Sequence, residues 1–411
     1  MPNTEGVAGN PVLRAAGLAA TLIAVLWLAP AGHATEQRGW IVGAPSGPRA
    51  AASLPGSSIA PGIRLVRGTA PSARRLRRLP GVRWVEPNRR FYASSVASPT
   101  DPLFARQWAL RSARVRGAWL ATVGGEVPVA VLDSGLDFSN PDLAQNVWTN
   151  AGEVPGNRID DDDNGFVDDV HGADTVSWDG DPSDGLGHGT GVASVIGAQG
   201  DNGVGISGVA WSVRLMPVKV LHDHGWATTA SMVAGLRYAL ANGARIVNMS
   251  LNGREPSRAL DEAVGQAEAQ GVLVVTSAGN DGANRDRVLS YPASLPSRAV
   301  LTVASANRAG GLASTSAYGR RSVDLAAPGD DVIASELGGL CARRSGTSFA
   351  AAYVTGAAAL LSAARPDASG ARLRTAIVAS ARRGGRVDAA IAGGRLDVTA
   401  ALRMLGRLRP P

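Results

Sequence analysis

Four residues of this chain are of types that together hydrolyse acyl bonds: Asp133, His188, Asn280 and Ser348. A serine hydroxyl becomes a nucleophile when an imidazole takes its proton and a carboxylate orients that imidazole. Amide donors then receive the oxyanion that forms on the substrate. Asp133 ends the apolar run Val129-Ala130-Val131-Leu132, and an ionised carboxylate buried there needs partners. His188 sits in Gly185-Leu186-Gly187-His188-Gly189-Thr190-Gly191. Glycines on both sides let backbone approach the ring closely. A helical pattern follows, and a helix N-terminus favours the neutral imidazole a general base requires. Ser348 follows Ser345-Gly346-Thr347 and opens a small-residue run through Gly356 to Ala364, so its helix must be buried and offers oriented N–H groups to an oxyanion. Asn280, in Ser277-Ala278-Gly279-Asn280-Asp281, brings a side-chain amide that can donate to the same oxyanion. Taken singly, each has an ordinary structural reading: a strand-end turn residue, a structural histidine, an N-cap serine, a turn asparagine. Their joint order, each in its own context, is what carries specificity.

These residues need elements to hold them. From about Gln107 onward apolar strand-like runs at 127–132, 214–221, 245–251, 272–276, 300–304 and 323–325 alternate with helical patterns at 188–198, 228–241, 257–270 and 347–364. Continuous apolar strands separated by helices predict an α/β domain: a doubly wound, mostly parallel sheet with helices on both faces. Such sheets bind ligands beyond the carboxyl ends of their strands, where the motifs lie. Ahead of this domain, short strand-like pieces at 40–42 and 63–66, a helix at 73–79 and the segment 79–88 predict a small α+β unit, and 92–100 reads as an exposed linker.

Residues 1–34 read as a signal peptide. Arg14 precedes an apolar run at 15–28, followed by the small-residue triplets Ala29-Pro30-Ala31 and Gly32-His33-Ala34, either of which suits cleavage. The run is too short to span a bilayer comfortably, and no later stretch reads as a transmembrane helix. A secreted protein, extracellular or periplasmic and without stable membrane insertion after cleavage, is expected. The single cysteine, Cys341, has no internal partner for a disulfide. The formal net charge of +7 is unevenly placed. Up to Ser98 there are 12 Arg and 3 acidic residues, a net of +9; the remaining 29 basic and 31 acidic residues net −2. The main domain therefore has no electrostatic case for nucleic acid.

In the order Asp, His, Asn, Ser, with these local motifs, residues 101–405 resemble the subtilisin-like serine proteases. An esterase of the Ser-Asp-His order is disfavoured, because the Gly-x-Ser-x-Gly elbow is absent around Ser348. The resemblance implies a serine endopeptidase with Ser348 as nucleophile, His188 as general base, Asp133 as its orienting carboxylate and Asn280 as oxyanion donor. It implies that Ser250, Leu251 and Gly253 form one substrate-binding edge, that Ser277, Ala278 and Gly279 form the other, and that Tyr291-Pro292-Ala293 walls the first specificity pocket. It also implies that 35–98 is a propeptide and intramolecular inhibitor of a catalytic domain at 99–411, which acts on proteins or peptides as a monomer. Gly191, where the family usually has a second His, and Ala352-Tyr353, where it usually has Pro-His, depart from its pattern outside the triad.

One further motif suggests calcium. With Asp160 at position 1 of a loop, Asp162 falls at 3, Asn164 at 5, Gly165 at 6 and Asp168 at 9. That alternation of hard oxygens with a central Gly matches most of a calcium loop, though His171 at position 12 rules out a complete EF-hand. The family resemblance adds a second candidate site at Gln107, Asp142 and Asn202.

Overall fold

The computed structural model describes residues 39–44, 55–67, 73–88, 98–384 and 387–408. The expected signal peptide and most of the 92–100 linker lie outside them. The chain divides into two units, Met1–Ala93 and Ser94–Pro411.

In the first unit, β1 (Gly39–Gly43), β2 (Ser57–Ala60), β3 (Ile63–Arg67) and β4 (Trp84–Pro87) form an antiparallel sheet in the order β2-β3-β1-β4. A single turn of helix, α1 (Ala73–Leu76), lies between β3 and β4. Its core is Val42, Ala44, Val66, Leu76 and Val85. The helix stops short of the expected 79 because Pro80-Gly81 follows, a pair that breaks helices.

The second unit is built on a seven-stranded sheet whose recorded pairings are all parallel, in the order β11-β10-β9-β8-β5-β7-β6. Its strands are β5 (Gly124–Asp133), β6 (Ala173–Asp174), β7 (Ser212–Lys219), β8 (Ile246–Met249), β9 (Leu273–Ser277), β10 (Val300–Ala306) and β11 (Leu325–Pro328). Alternation along β5 shows how the sheet is covered. Val129 and Val131 join one core, with α4 (His188–Gly197) and α7 (Thr347–Ala364). Ala130 and Leu132 join another, with α5 (Thr229–Ala241) and α6 (Arg258–Ala269). Successive side chains of a strand face opposite sides, so both faces of a strand this apolar are buried. Short helices α2 (Trp108–Ser112) and α3 (Val115–Trp119), a hairpin of β12 (Val332–Ser335) and β13 (Cys341–Arg344), and C-terminal helices α8 (Gly370–Ala379) and α9 (Val398–Arg407) complete it.

Strand β5 is the switch point. Its neighbours are β7 and β8, and the later strands continue outward from β8. The crevice at the carboxyl end of β5 is where such a sheet offers a binding site. Helix α7 is 18 residues long with mean hydropathy 1.4, so one later stretch is, against expectation, apolar enough to cross a membrane by length and composition. It instead runs through the core, where 89% of it is buried. Its Gly356 has no room for a side chain: a Cβ would stand 2.6 Å from Val209 Cβ and 2.9 Å from Ile196 O.

Candidate active site

Asp133 is the last residue of β5, paired in register with Lys219 of β7, and it is fully buried. Its Oδ1 lies 2.6 Å from His188 Nδ1 and accepts the Ser134 amide at 2.8 Å. Because a carboxylate only accepts, Nδ1 carries the proton and Nε2 is left as the base. His188 is the first residue of α4, whose cap Gly187 takes φ +87°. Two neighbouring residues lock strand end and helix start together. The Ser134 hydroxyl donates to Asp184 at 2.8 Å and accepts the Gly189 amide at 2.8 Å. Asp184 in turn accepts the amides of Leu186, Gly187 and Thr190 and the Thr190 hydroxyl. Those hydrogen bonds outweigh burial and hold its carboxyl below the usual range. Sequence reasoning missed Ser134 and Asp184; the signal was an acid four residues before the histidine.

Burial alone would lower the His188 pKa. The charge and hydrogen bond of Asp133 outweigh it, helped by Asp184 and opposed by Arg344, so the imidazole titrates above its ordinary range.

Ser348 is the second residue of α7 and is buried. Its hydroxyl donates a long hydrogen bond, 3.4 Å, to the carbonyl of Ser250, the residue that follows β8. Beside it, Asn280 Oδ1 accepts both the amide of Thr347, at 2.8 Å, and its hydroxyl, at 3.0 Å. With its oxygen engaged, the Asn280 amide is turned so that Nδ2 is the end left to donate. Thr347, which sequence reasoning also passed over, accepts the Gly279 amide as well, at 3.1 Å.

His188, Ser348 and Asn280 line one cleft of about 880 Å³, together with Ser250, Leu251 and Gly253. Gly253 exchanges two backbone hydrogen bonds with Tyr291, at 2.8 and 2.7 Å. Ser277, Ala278 and Gly279 are not among the lining residues: Ala278 N donates to Val303 O, and Gly279 O accepts from Ala317 N. A half-buried His held by a buried Asp, a hydroxyl at a helix start and an amide donor on one cleft form the equipment for acyl transfer.

Residues 124–397 match the model of the subtilase family. The chain belongs to the subtilase family. It is 37% identical to subtilisin Savinase of Lederbergia lenta over 253 residues, which cover 61% of this chain and 81% of that one. It is 33% identical to thermitase of Thermoactinomyces vulgaris over 276 residues, 67% and 89% of the two chains. Among solved structures it resembles a protease from Pseudoalteromonas arctica PAMC 21717, with TM-score 0.63 and 27% identity, covering 75% of this chain and all of that one. This subtilase is thus a serine endopeptidase that acts on proteins or peptides.

The expected metal loop of this subtilase is only partly gathered. Asp160 and Asp162 come together with Glu153, one carboxylate oxygen of each lying within 4.8 Å of the others. Glu153 is 7% exposed, and its Oε2 has no hydrogen-bond partner among the described residues. A buried carboxylate oxygen without a donor, beside two more carboxylates, suits a hard cation. Asp168 turns instead to the amides of Gly156 and Arg158, at 2.7 and 3.0 Å, and Asn164 Nδ2 to Asp169 at 3.1 Å. At the other candidate site both amide atoms of Gln107 are bonded to Ser207. Asp142 accepts from Asn202 Nδ2 and the Ile206 amide, both at 2.9 Å. Asn202 Oδ1 accepts the Val204 amide. Burial, only partly offset by these donors, pushes Asp142 up to about 6. As arranged, the side-chain oxygens of this set accept N–H groups.

Proposed function

We propose that this subtilase is a secreted endopeptidase, made as a zymogen, whose triad is Ser348, His188 and Asp133. What carries the reading is the 2.6 Å contact between Asp133 and His188 on the cleft that Ser348 and Asn280 also line. In the reaction Ser348 Oγ exchanges its long bond to Ser250 for one to His188 Nε2. The oxygen attacks the scissile carbonyl as its proton passes to Nε2. Asp133, fixed by Ser134 and buried, stabilises the imidazolium without taking the proton. The carbonyl oxygen, now negative, accepts from Asn280 Nδ2 and from the Ser348 backbone N–H at the start of α7. Collapse expels the amine, protonated by His188; water then repeats the sequence on the acyl-enzyme. The edge at 250–253, which lines the cleft, is proposed to hold the substrate extended, since backbone pairing gives affinity with little demand on sequence.

Residues 1–34 direct export, and 35–98 act as propeptide and inhibitor of a monomeric catalytic domain. A net of +9 up to Ser98 against −2 beyond it favours association of the two parts. Glu153, Asp160 and Asp162 would hold calcium, which would supply the positive charge that the acidic loop lacks. Labelling with a fluorophosphonate tests the central claim. The wild type should take one label, on Ser348, and Ser348→Ala none. An unlabelled, folded wild-type enzyme would refute the reading.

A further inference from the structure

Arg285 is a charged residue with only 3% of its surface exposed, and none of the steps above uses it. It lies five residues after Asn280, and its guanidinium spans the turn that carries that asparagine. Nε donates to the Ala278 carbonyl at 2.6 Å, and Nη2 to the Asp281 carboxylate at 2.6 Å. The two acceptors flank Asn280, two residues before it and one after. A third bond runs from Nη1 to the Val288 carbonyl at 3.3 Å, and the backbone N–H of Arg285 donates to Tyr318 O at 2.6 Å. The guanidinium also packs against Gly279. A Cβ at that position would stand 2.3 Å from Nη2, and the φ of +108° is itself one that side chains resist.

A buried cation is costly unless its donors are met, and here a carboxylate and two carbonyls meet them. Arginine suits the place because its donors are fixed in one plane: three acceptors bound to the same fork cannot shift relative to one another. Thr347 grips the side-chain oxygen of Asn280 from helix α7, whereas Arg285 grips the backbone on which that side chain stands. The geometry points to Arg285 as a positioning residue of the oxyanion site, fixing the 278–281 turn so that Asn280 Nδ2 meets the developing charge. The inference rests on the proposed role of Asn280. Because that charge exists only in the transition state, loss of positioning appears in kcat and not in KM.

The test is a double-mutant cycle. Arg285→Gln and, separately, Asp281→Asn are made in the wild type and in Asn280→Ala, with kcat and KM measured on a peptide amide and folding followed by near-UV circular dichroism. Misplacing a catalytic group by about 1 Å can cost around 100-fold. Arg285→Gln is therefore expected to lower kcat roughly 10- to 100-fold with KM unchanged within about twofold. Asp281→Asn should act in the same direction but less, since the Ala278 bond survives. In the Asn280→Ala background either change should alter kcat by less than about twofold, because the donor it aims is already gone. Arg285→Lys, which keeps the charge and loses the fork, should not restore the rate. Equal losses in both backgrounds, a loss confined to KM, or full rescue by lysine would each overturn the proposal. If Arg285→Gln does not fold, the Asp281→Asn cycle decides, because Asp281 is 42% exposed and sits at the outer end of the clamp. A wild type that takes no fluorophosphonate would defeat the catalytic reading itself. A labelled wild type with background-independent losses would defeat only the role of Arg285.

Discussion

The sign of one pKa shift fixes how this enzyme should respond to acid. Burial disfavours the imidazolium of His188, but the Asp133 carboxylate favours it more, and the net shift is upward. With His188 as the proposed base, the protonated form is the inactive one, and it persists to higher pH than for an ordinary histidine. We expect kcat/KM to rise with pH through an apparent pKa above 6.5, the ordinary value. Arg344→Gln removes a nearby positive charge and should move that rise to still higher pH. Asp133→Asn removes the dominant negative charge, so the rise should move down as the rate collapses. A pH–rate profile of the three enzymes checks all three directions; an unmoved limb in Asp133→Asn would show that another group titrates. Two substitutions then test the proposed nucleophile and the proposed oxyanion donor separately. The reference magnitudes for this chemistry belong to subtilisin itself, a relative of this chain. There, loss of the nucleophile costs on the order of 10⁶-fold in kcat and loss of the oxyanion amide about 10²- to 10³-fold. Ser348→Ala and Asn280→Ala should fall in that order, with both proteins folded; a Ser348→Ala enzyme retaining more than a trace of activity would exclude Ser348 as nucleophile.

At the scale of elements, the packing of α7 and α4 on the sheet brings Ser348 and His188 to one cleft. Gly356 permits the contact between α7 and the 196–209 region: a Cβ would press on Val209 at 2.6 Å and on Ile196 O at 2.9 Å. Alanine is the better helix former by about 1 kcal/mol, so exposed glycine would be worth replacing. Here the neighbours are a β-branched carbon and a backbone oxygen, which cannot swing aside, and overpacking costs about 1–3 kcal/mol. Gly356→Ala should lower the urea midpoint with an unchanged slope, measured in the Ser348→Ala background to prevent self-digestion. An unchanged or raised midpoint would mean that helix propensity wins. Gly189 presents the same constraint closer to the chemistry. A Cβ there would stand 2.3 Å from Gly135 O and 3.2 Å from Asp133 Cβ, prying the histidine helix from the aspartate strand.

For the whole molecule, the questions are maturation and survival among proteases. The proposed cut falls in the small-residue run 93–100 ahead of the catalytic domain. Ser348→Ala should therefore accumulate as uncut precursor while wild type matures, as read by mass spectrometry. Equal processing of the two would assign the cut to another protease. With one cysteine and hence no internal disulfide, endurance must come from elsewhere. Self-digestion samples locally opened states, and the loop of Asp160, Asp162 and Asp168 is rich in mutually repelling charge. A cation bound by Glu153, Asp160 and Asp162 would stabilise the folded state by about 2.7 kcal/mol at a hundredfold excess over its Kd. The inactivation half-life should lengthen with calcium and shorten with EDTA. Glu153→Gln or Asp160→Ala should remove most of the difference, and equal wild-type half-lives in both conditions would exclude the site.

The motifs around Asp133, His188, Asn280 and Ser348, and the alternation of apolar strands with helices, could be read from the chain alone. Both are local: a residue type beside glycines, or a run of Val and Ala, means the same thing wherever it later folds. The short helices α2 and α3 and the hairpin of β12 and β13 escaped because runs of four or five residues carry too little periodicity. Helix α9 was readable and overlooked, with Val398, Ala401 and Leu405 on one face and Asp397 capping the Ala400 amide at 2.9 Å. Other facts exist only in three dimensions. Glu153 reaches Asp160 and Asp162 across a loop, whereas Asp168, spaced correctly in sequence, turns to the amides of Gly156 and Arg158; Asp160 itself accepts the amides of Asn164 and Gly165. Likewise Arg285 acquires a role because the turn at 278–281 folds over its guanidinium. Spacing along a chain states which atoms are available; the path of the backbone decides which of them meet, and whether each oxygen faces a cation, a proton or an N–H group.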